Sequence, residues 1–204
     1  HRELCAILAD IRRDDLRASE VIRRLRALLA KQRTMSTPLD LVEVAGEVVA
    51  LLRVEARRRQ VTLSLRPTVP RAMILGDRIQ MQQVMIILTI NAMDAMENMD
   101  ADAADRRLVV LAIEGRGRRY SISVTDHGNG IEPAQLALVF ESFYSTKPSG
   151  MGLGLSIART LVKAHHGRIW AENAAAGGAR FQVDLPALGG ARGVSRFNEH
   201  EAST

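Results

Sequence analysis

The sequence predicts an α+β fold: a two-layer α/β sandwich preceded by a long helix. Three observations lead there. Helix-period and strand-period stretches mix along residues 38–188 without regular β-α-β alternation. Two pairs of alternating apolar runs are each divided by a turn signal, which predicts antiparallel hairpins. Residues 3–33 carry a helical period with no strand signal.

The elements follow in order. In the first segment Leu4, Leu8, Ile11, Ala18, Ile22, Leu25 and Leu29 recur at spacings of three and four, Asp15 interrupts the series, and Ile7, Val21 and Leu28 widen the stripe. So broad an apolar face needs more than one neighbour, which suggests a helical bundle, shared between two chains or internal to one. "TMSTP" breaks the pattern, because Pro38 cannot continue the preceding helix. Asp40 with Glu43 resembles a capping box and starts a second helix running to about Arg59. "VTLSL" reads as a strand. "RAMILGD" is a short apolar run ending in Gly-Asp, and residues 77–98 form a third helix, "QVMIILTINAMDAM" at its centre. "DADAADRR" is a polar loop. "LVVLAIEG" and "YSISVTDHG" flank "RGRR" as one hairpin. "PAQLALVFESF" is expected to be a short helix giving way to a loop, and "GMGLGLSIARTLVKAHHG" to pass from glycines into a helix. "RIWAEN" and "ARFQVDLP", divided by Gly177-Gly178, form the last hairpin. From residue 189 the chain has too few apolar residues to bury itself and is expected to be a tail.

Composition sets the class. Apolar residues are 47% and charged residues 25%, the profile of a water-soluble globular chain. The lone Cys5 excludes a disulfide framework and a cysteine-rich zinc site. No stretch is long enough and charge-free enough to span a bilayer, and no signal peptide is evident, so a cytoplasmic setting is expected. The chain starts at His1 rather than Met, which suggests a fragment or processed chain. The net charge is +5, but the arginines of "IRRDDLRASEVIRRLRALLAK" and "RVEARRRQ" alternate with acids at helical spacing. They read as solvated helix faces rather than a nucleic-acid surface. Aromatics at 3% also argue against base-stacking platforms.

Three features carry chemistry. Asn91 stands in an apolar helix on one face with Val84, Ile87, Leu88 and Ala95; it is either a satisfied structural amide or an oxygen donor to a hard cation such as Mg²⁺. "DHGNG", Asp126 to Gly130, ends a strand. It is either an Asx turn or a carboxylate accepting from an exocyclic amine, with Gly128 and Gly130 letting a ligand approach. "GMGLGLS" places Gly150, Gly152 and Gly154 before a helix. That is either a tight loop or an anion site at a helix N-terminus, with Lys147 upstream as an added charge or a plain surface lysine. It is neither a Walker A loop nor a dinucleotide fingerprint.

The order of these motifs resembles the catalytic ATP-binding domain of sensor histidine kinases, in the GHKL ATPase superfamily. "INAMDAM" looks like the N box, "DHGNG" the G1 box, "FESFYSTK" the F box and "GMGLGLS" the G2 box. The resemblance covers residues 38–188, and "ASEVIRRLRALL" is similar to the second helix of the dimerisation and phosphoacceptor hairpin. "STKPSGMGLGLSIAR" most resembles the oxygen-sensing and nitrogen-regulating kinases. The expected organisation is therefore residues 1–37 as hairpin helix and linker, 38–188 as a Bergerat-type ATP-binding domain, and 189–204 as tail.

The resemblance implies roles. Asn91 would ligate a Mg²⁺ bridging the ATP phosphates. Asp126 would bind the adenine amine, with Gly128 and Gly130 beside it. Gly150, Gly152 and Gly154 would line the phosphates under a lid of residues 141–151, with Lys147 reaching the phosphate tail. ATP and Mg²⁺ are the implied cofactors. The implied partners are a response regulator receiver domain and a second copy joined through the first helix, with no nucleic acid, and membrane contact only through regions outside this chain. Two departures stand out. The phosphoacceptor His-Glu with a following Pro is absent; His1, His127, His165, His166 and His200 do not fit it. Ile87 stands where many histidine kinases carry a polar residue and the gyrase-type ATPases a water-orienting Glu, so water activation is not expected. An anti-sigma-factor-type serine kinase, or a degenerate nucleotide-binding or interaction module, are the alternative readings.

Overall fold

The computed structural model describes residues 36–97, 107–147 and 151–189. The long first helix, most of the polar loop after the third helix, Gly150 and nearly all of the expected tail lie outside the described residues.

The chain enters through a strand that the sequence did not announce. β1 (Thr37–Asp40) pairs antiparallel with β3 (Met73–Gly76), Leu39 opposite Ile74. Its first half is exposed, and Pro38 sits where a two-stranded edge tolerates a missing donor. That is why "TMSTP" reads as a break although the backbone is paired.

Asp40 then caps α1 (Leu41–Arg58), its Oδ1 accepting from Val42 N at 3.0 Å and Ala72 N at 2.9 Å. One carboxylate oxygen thus fixes both the helix start and the approach to β3. Glu43 in the first turn and Arg57 and Arg58 in the last complement the helix dipole. Leu41, Val44, Ala45, Val48, Leu52 and Ala56 form the buried stripe.

β2 (Thr62–Pro67) lies at one edge of a five-stranded sheet ordered β2-β4-β5-β7-β6. The others are β4 (Leu108–Arg116), β5 (Arg119–Thr125), β6 (Arg168–Asn173) and β7 (Ala179–Pro186). Only β2 and β4 run parallel; both expected hairpins, β4-β5 and β6-β7, are present. Val109, Leu111, Ile113, Ile122, Val124, Phe181, Val183 and Leu185 point from the sheet into the core. The helices cover that face, which makes the two-layer α+β sandwich expected from the pattern.

α2 (Arg78–Asp94) is buried on several sides, through Met81, Val84, Met85, Leu88, Thr89, Ala92 and Met93. Asp77 caps it, accepting from Gln80 N at 3.1 Å. The helix ends at Asp94, not at residue 98; Met96 N and Glu97 N turn back to Met93 and Asp94 carbonyls in tight i to i−3 bonds. α3 (Gly154–Ala164) lies beside it. His165 ties the two together. Its Nε2 accepts from Asp77 N at 3.0 Å, so the proton sits on Nδ1, which donates to Leu161 O at 2.8 Å. A Cβ on Gly76 would come within 2.7 Å of the His165 ring. This buried histidine is structural.

"PAQLALVFESF" does not become an α-helix. It forms one 3-10 turn, Pro133–Gln135, followed by further turns. Leu138 is exposed, Val139 is only partly buried against the core, and Phe140 alone is fully buried, edge-on to Phe181 at 6.2 Å. Two adjacent residues give no apolar stripe at helical spacing for a helix to bury.

Candidate nucleotide site

Asp126 follows the last residue of β5 and is 1% exposed. Its Oδ1 accepts from Gly128 N at 2.9 Å and from Ala179 N at 3.1 Å. Its Oδ2 is buried with no partner. The two readings of "DHGNG" are therefore both present in one side chain. Oδ1 closes an Asx turn, and Oδ2 is left as an acceptor for something else. An unpaired buried acceptor costs about 1–3 kcal/mol, which favours a ligand that donates to it. Burial pushes the Asp126 carboxyl above its ordinary value, partly offset by those two backbone donors and by the His127 and Lys147 charges.

The glycines around it are required by close approach. A Cβ on Gly128 would lie 2.7 Å from Ala95 O, at the end of α2. Gly130 has φ 75°, and a Cβ there would lie 2.9 Å from Asn173 Oδ1. The Asn173 amide clamps the next residue from both sides, accepting from Ile131 N at 2.8 Å and donating to Ile131 O at 2.7 Å. Gly178, read in the sequence only as a turn, is the tightest: φ 81°, with Asp126 O at 2.0 Å from a Cβ. Gly178, Ala179 and Asn173 support this carboxylate and its loop, and the Gly-Gly pair is their only local signal in the sequence.

Asn91 lies three residues before the end of α2 and is half-buried. Among the described residues nothing hydrogen-bonds its side chain. Val84 and Leu88 on its face are buried, whereas Ala95 is exposed. Gly154, the first residue of α3, faces it: a Cβ there would be 4.0 Å from Asn91 Nδ2 and 3.5 Å from Ile87 Cγ2. α3 has no side-chain cap and no acid in its first turn. Its leading N–H groups are thus open to an anion, opposite a free amide. Ile87 puts a methyl group at that junction, where no proton can be taken from a water.

Gly152 is placed differently. With φ 67° its Cβ position lies 2.5 Å from Tyr144 O, and its carbonyl accepts from Phe143 N at 3.0 Å. Its need for glycine comes from packing against the Phe143–Tyr144 backbone. Gly150 is outside the described residues. Lys147 is already engaged: its Nζ donates to Asp94 Oδ2 at 2.6 Å. The other Asp94 oxygen is held by Arg59 Nη1. Asp94, which no local pattern in the sequence marks, thus joins Lys147 to Arg59. Of the histidines, His127 bonds Leu108 O at 3.1 Å, and His166 is exposed beyond α3; His1 and His200 are outside the described residues.

No cluster of three or more His, Cys, Asp or Glu suited to a metal exists among the described residues. Mg²⁺ does not need one, since it keeps water and phosphate oxygens and takes one or two protein donors. The unengaged Asn91 amide fits that demand. No helix of the described residues is long and apolar enough to cross a membrane.

Comparison with known proteins identifies the family. The family model described as histidine kinase-, DNA gyrase B-, and HSP90-like ATPase matches residues 76–189. The chain is 38% identical to the sensor protein FixL of Bradyrhizobium diazoefficiens over 172 residues, 84% of this chain and 33% of that protein. It is 34% identical to the sensor histidine kinase TmoS of Ectopseudomonas mendocina, covering 88% of this chain and 18% of that protein. The chain thus spans a third or less of these two relatives. Among solved structures, the catalytic domain of histidine kinase ThkA superposes with TM-score 0.66 at 28% identity, over 74% of this chain and 95% of that one. Histidine kinase ThkA in complex with response regulator protein TrrA gives TM-score 0.71 at 25% identity, over 89% and 51%. With the motifs in family order and the sandwich that carries them, this chain belongs to the histidine kinase-, DNA gyrase B- and HSP90-like ATPase family, with a domain of the sensor histidine kinase kind.

Proposed function

We propose that this domain binds Mg-ATP and delivers its γ-phosphoryl group to a histidine outside the ATP-binding domain, for onward transfer to a response regulator. The observation that carries the reading is the buried, unpartnered Oδ2 of Asp126 in a glycine-lined niche. An exocyclic amine of adenine supplies the missing donor. Gly128 and Gly130 keep side chains out of the base's way.

At the other end, the α3 N-terminus at Gly154 receives phosphate oxygens. Asn91 holds the Mg²⁺, whose charge neutralises the phosphates when bound. Gly150, Gly152 and Lys147 belong to the same loop, with Gly152 shaping it and Lys147 meeting phosphate. Such a site works by positioning and charge neutralisation, leaving the nucleophile to the acceptor. Ile87 argues for transfer rather than hydrolysis, because it offers no group to orient water. It also favours one second reading, a weakened site kept for nucleotide binding or interaction. The serine-kinase alternative gains nothing from the relatives found.

Residues 1–37 are taken as hairpin helix and linker, through which two copies pair, 38–188 as the ATP-binding domain and 189–204 as tail. The cytoplasm is the compartment that supplies ATP and a receiver domain. The test is calorimetric titration with Mg-ATP, then transfer of phosphate from ATP to a separately supplied dimerisation hairpin bearing its histidine. Saturable binding with transfer is expected. No binding by folded protein removes the whole reading. Binding without transfer, regained by Ile87→Asn, selects the weakened site.

A further inference from the structure

Lys147 and Asp94 form an ion pair between two parts of the proposed site. Lys147 Nζ sits 2.6 Å from Asp94 Oδ2, with Lys147 39% and Asp94 23% exposed. Asp94 lies on α2 one turn beyond Asn91, so its carboxylate flanks the face that carries the metal-binding amide. It does not swing freely. Arg59, at the end of α1, holds its other oxygen, and Arg59 is itself held by Glu55 at 2.5 Å. Glu55 in turn bonds Arg58 at 2.7 Å and 2.9 Å. The carboxylate is therefore braced from behind by the α1 terminus, and only its Oδ2 faces Lys147. Lys147 also lies close enough to Asp126 for its charge to be felt there.

Resting on the nucleotide reading above, we infer that Asp94 is a positioning residue that holds the Lys147 ammonium in reserve, and that the polyphosphate of an arriving nucleotide takes Lys147 from it. The braced carboxylate stays behind with Arg59 when the lysine leaves. Two consequences follow from this geometry. Asp94 acts as a built-in competitor for the same cation that phosphate needs, so it weakens binding of nucleoside polyphosphates without affecting the base. Its action also requires Lys147, because without the ammonium there is nothing to compete for. The arrangement discriminates by charge: a ligand with enough negative charge displaces the carboxylate, whereas adenosine does not.

The experiment is a double-mutant cycle on this chain with Asp94→Asn, Lys147→Ala and both together. Binding of Mg-ATP and of adenosine is measured by calorimetry, and circular dichroism checks folding. Asp94→Asn keeps an oxygen for Arg59, which also retains Glu55, so the brace survives. The expected result is about a fivefold gain in ATP affinity for Asp94→Asn, the scale of a partly exposed ion pair. Adenosine affinity stays unchanged, and the gain vanishes in the Lys147→Ala background. Lys147→Arg keeps the sensitivity to Asp94. The inference is overturned by an equal gain with and without Lys147, which marks plain repulsion between Asp94 and phosphate. It is also overturned by unchanged or reduced ATP affinity in Asp94→Asn, or by a parallel change for adenosine. Failure of the unmutated chain to bind ATP sinks the nucleotide reading and this inference with it; binding with an additive cycle sinks the inference alone.

Discussion

The two ends of the site are built on opposite plans. At the base end every part is fixed. Asp126 Oδ1 is held by two backbone N–H groups, Gly178 packs on its backbone, and Asn173 clamps the neighbouring loop. At the phosphate end the groups are unengaged or engaged elsewhere: a free Asn91 amide, an uncapped helix start at Gly154, and a lysine paired with Asp94. A neutral, planar base rewards a rigid niche, since little reorganisation accompanies its binding. A polyphosphate with its cation carries its own strong field, so its partners need only be near and available.

The largest way to break this contrast is Gly178→Ala. The new methyl meets Asp126 O at 2.0 Å in a backbone region that L side chains avoid. We expect the β5 and β7 ends to separate, at about 2–4 kcal/mol of stability. Thermal unfolding should show a clear drop, and nucleotide binding should be lost with it. Gly177→Ala one residue earlier shares the backbone strain, with φ 93°, but meets nothing within 4 Å of the new methyl and is expected to cost less.

Asp126→Asn comes next and separates binding from folding. Losing a charged acceptor should lower both ATP and adenosine affinity by about 10- to 100-fold. The apo fold should melt no earlier than wild type at neutral pH, because burial already disfavours the Asp126 charge. Asn91→Ala sharpens the other end. It should abolish the gain in ATP affinity that Mg²⁺ gives, and leave adenosine affinity unchanged. An equal loss for adenosine would move Asn91 out of the metal's neighbourhood.

The pH dependence is the smallest and most diagnostic effect. The folded Asp126 carboxyl is raised above 3.8, so the native state holds its proton longer than the unfolded chain. Its contribution to stability therefore declines as pH rises from 3.8 through the folded value. Adenine affinity moves the other way, falling as pH drops into that range. Glu55 has the opposite sign. Its hydrogen bonds to Arg58 and Arg59 hold it down at about 2, from 4.5, so its contribution is present above pH 4.5 and lost toward pH 2. Titrating unfolding of Glu55→Gln against wild type should remove that acid loss and leave the binding profile of Asp126 untouched.

Much of the fold was legible because the signals were local. The period-2 runs of β4, β5, β6 and β7, and the Asp caps before α1 and α2, are written in adjacent residues. β1 was hidden because four residues that include a proline have no period of their own, and their partner lies across the whole of α1 and β2. The helix expected at "PAQLALVFESF" failed for the converse reason: its apolar residues have a suitable spacing, but Phe140 alone is fully buried, with Val139 partly so and Leu138 exposed.

The site divides in the same way. The sequence by itself determined which residues are special, since an amide in an apolar helix and glycines at fixed spacing are visible without coordinates. It also determined that Ile87 offers no base for water. Only the tertiary structure decided how the two oxygens of Asp126 divide, that Gly178 must be glycine for Asp126's sake, and that Lys147 rests on Asp94. Apart from the Gly128 bond to Asp126 two residues back, each of these rests on a contact across 52 or 53 positions. Hydrogen bonds and close contacts over such distances exist only after the sheet and helices have packed, and no local pattern encodes them.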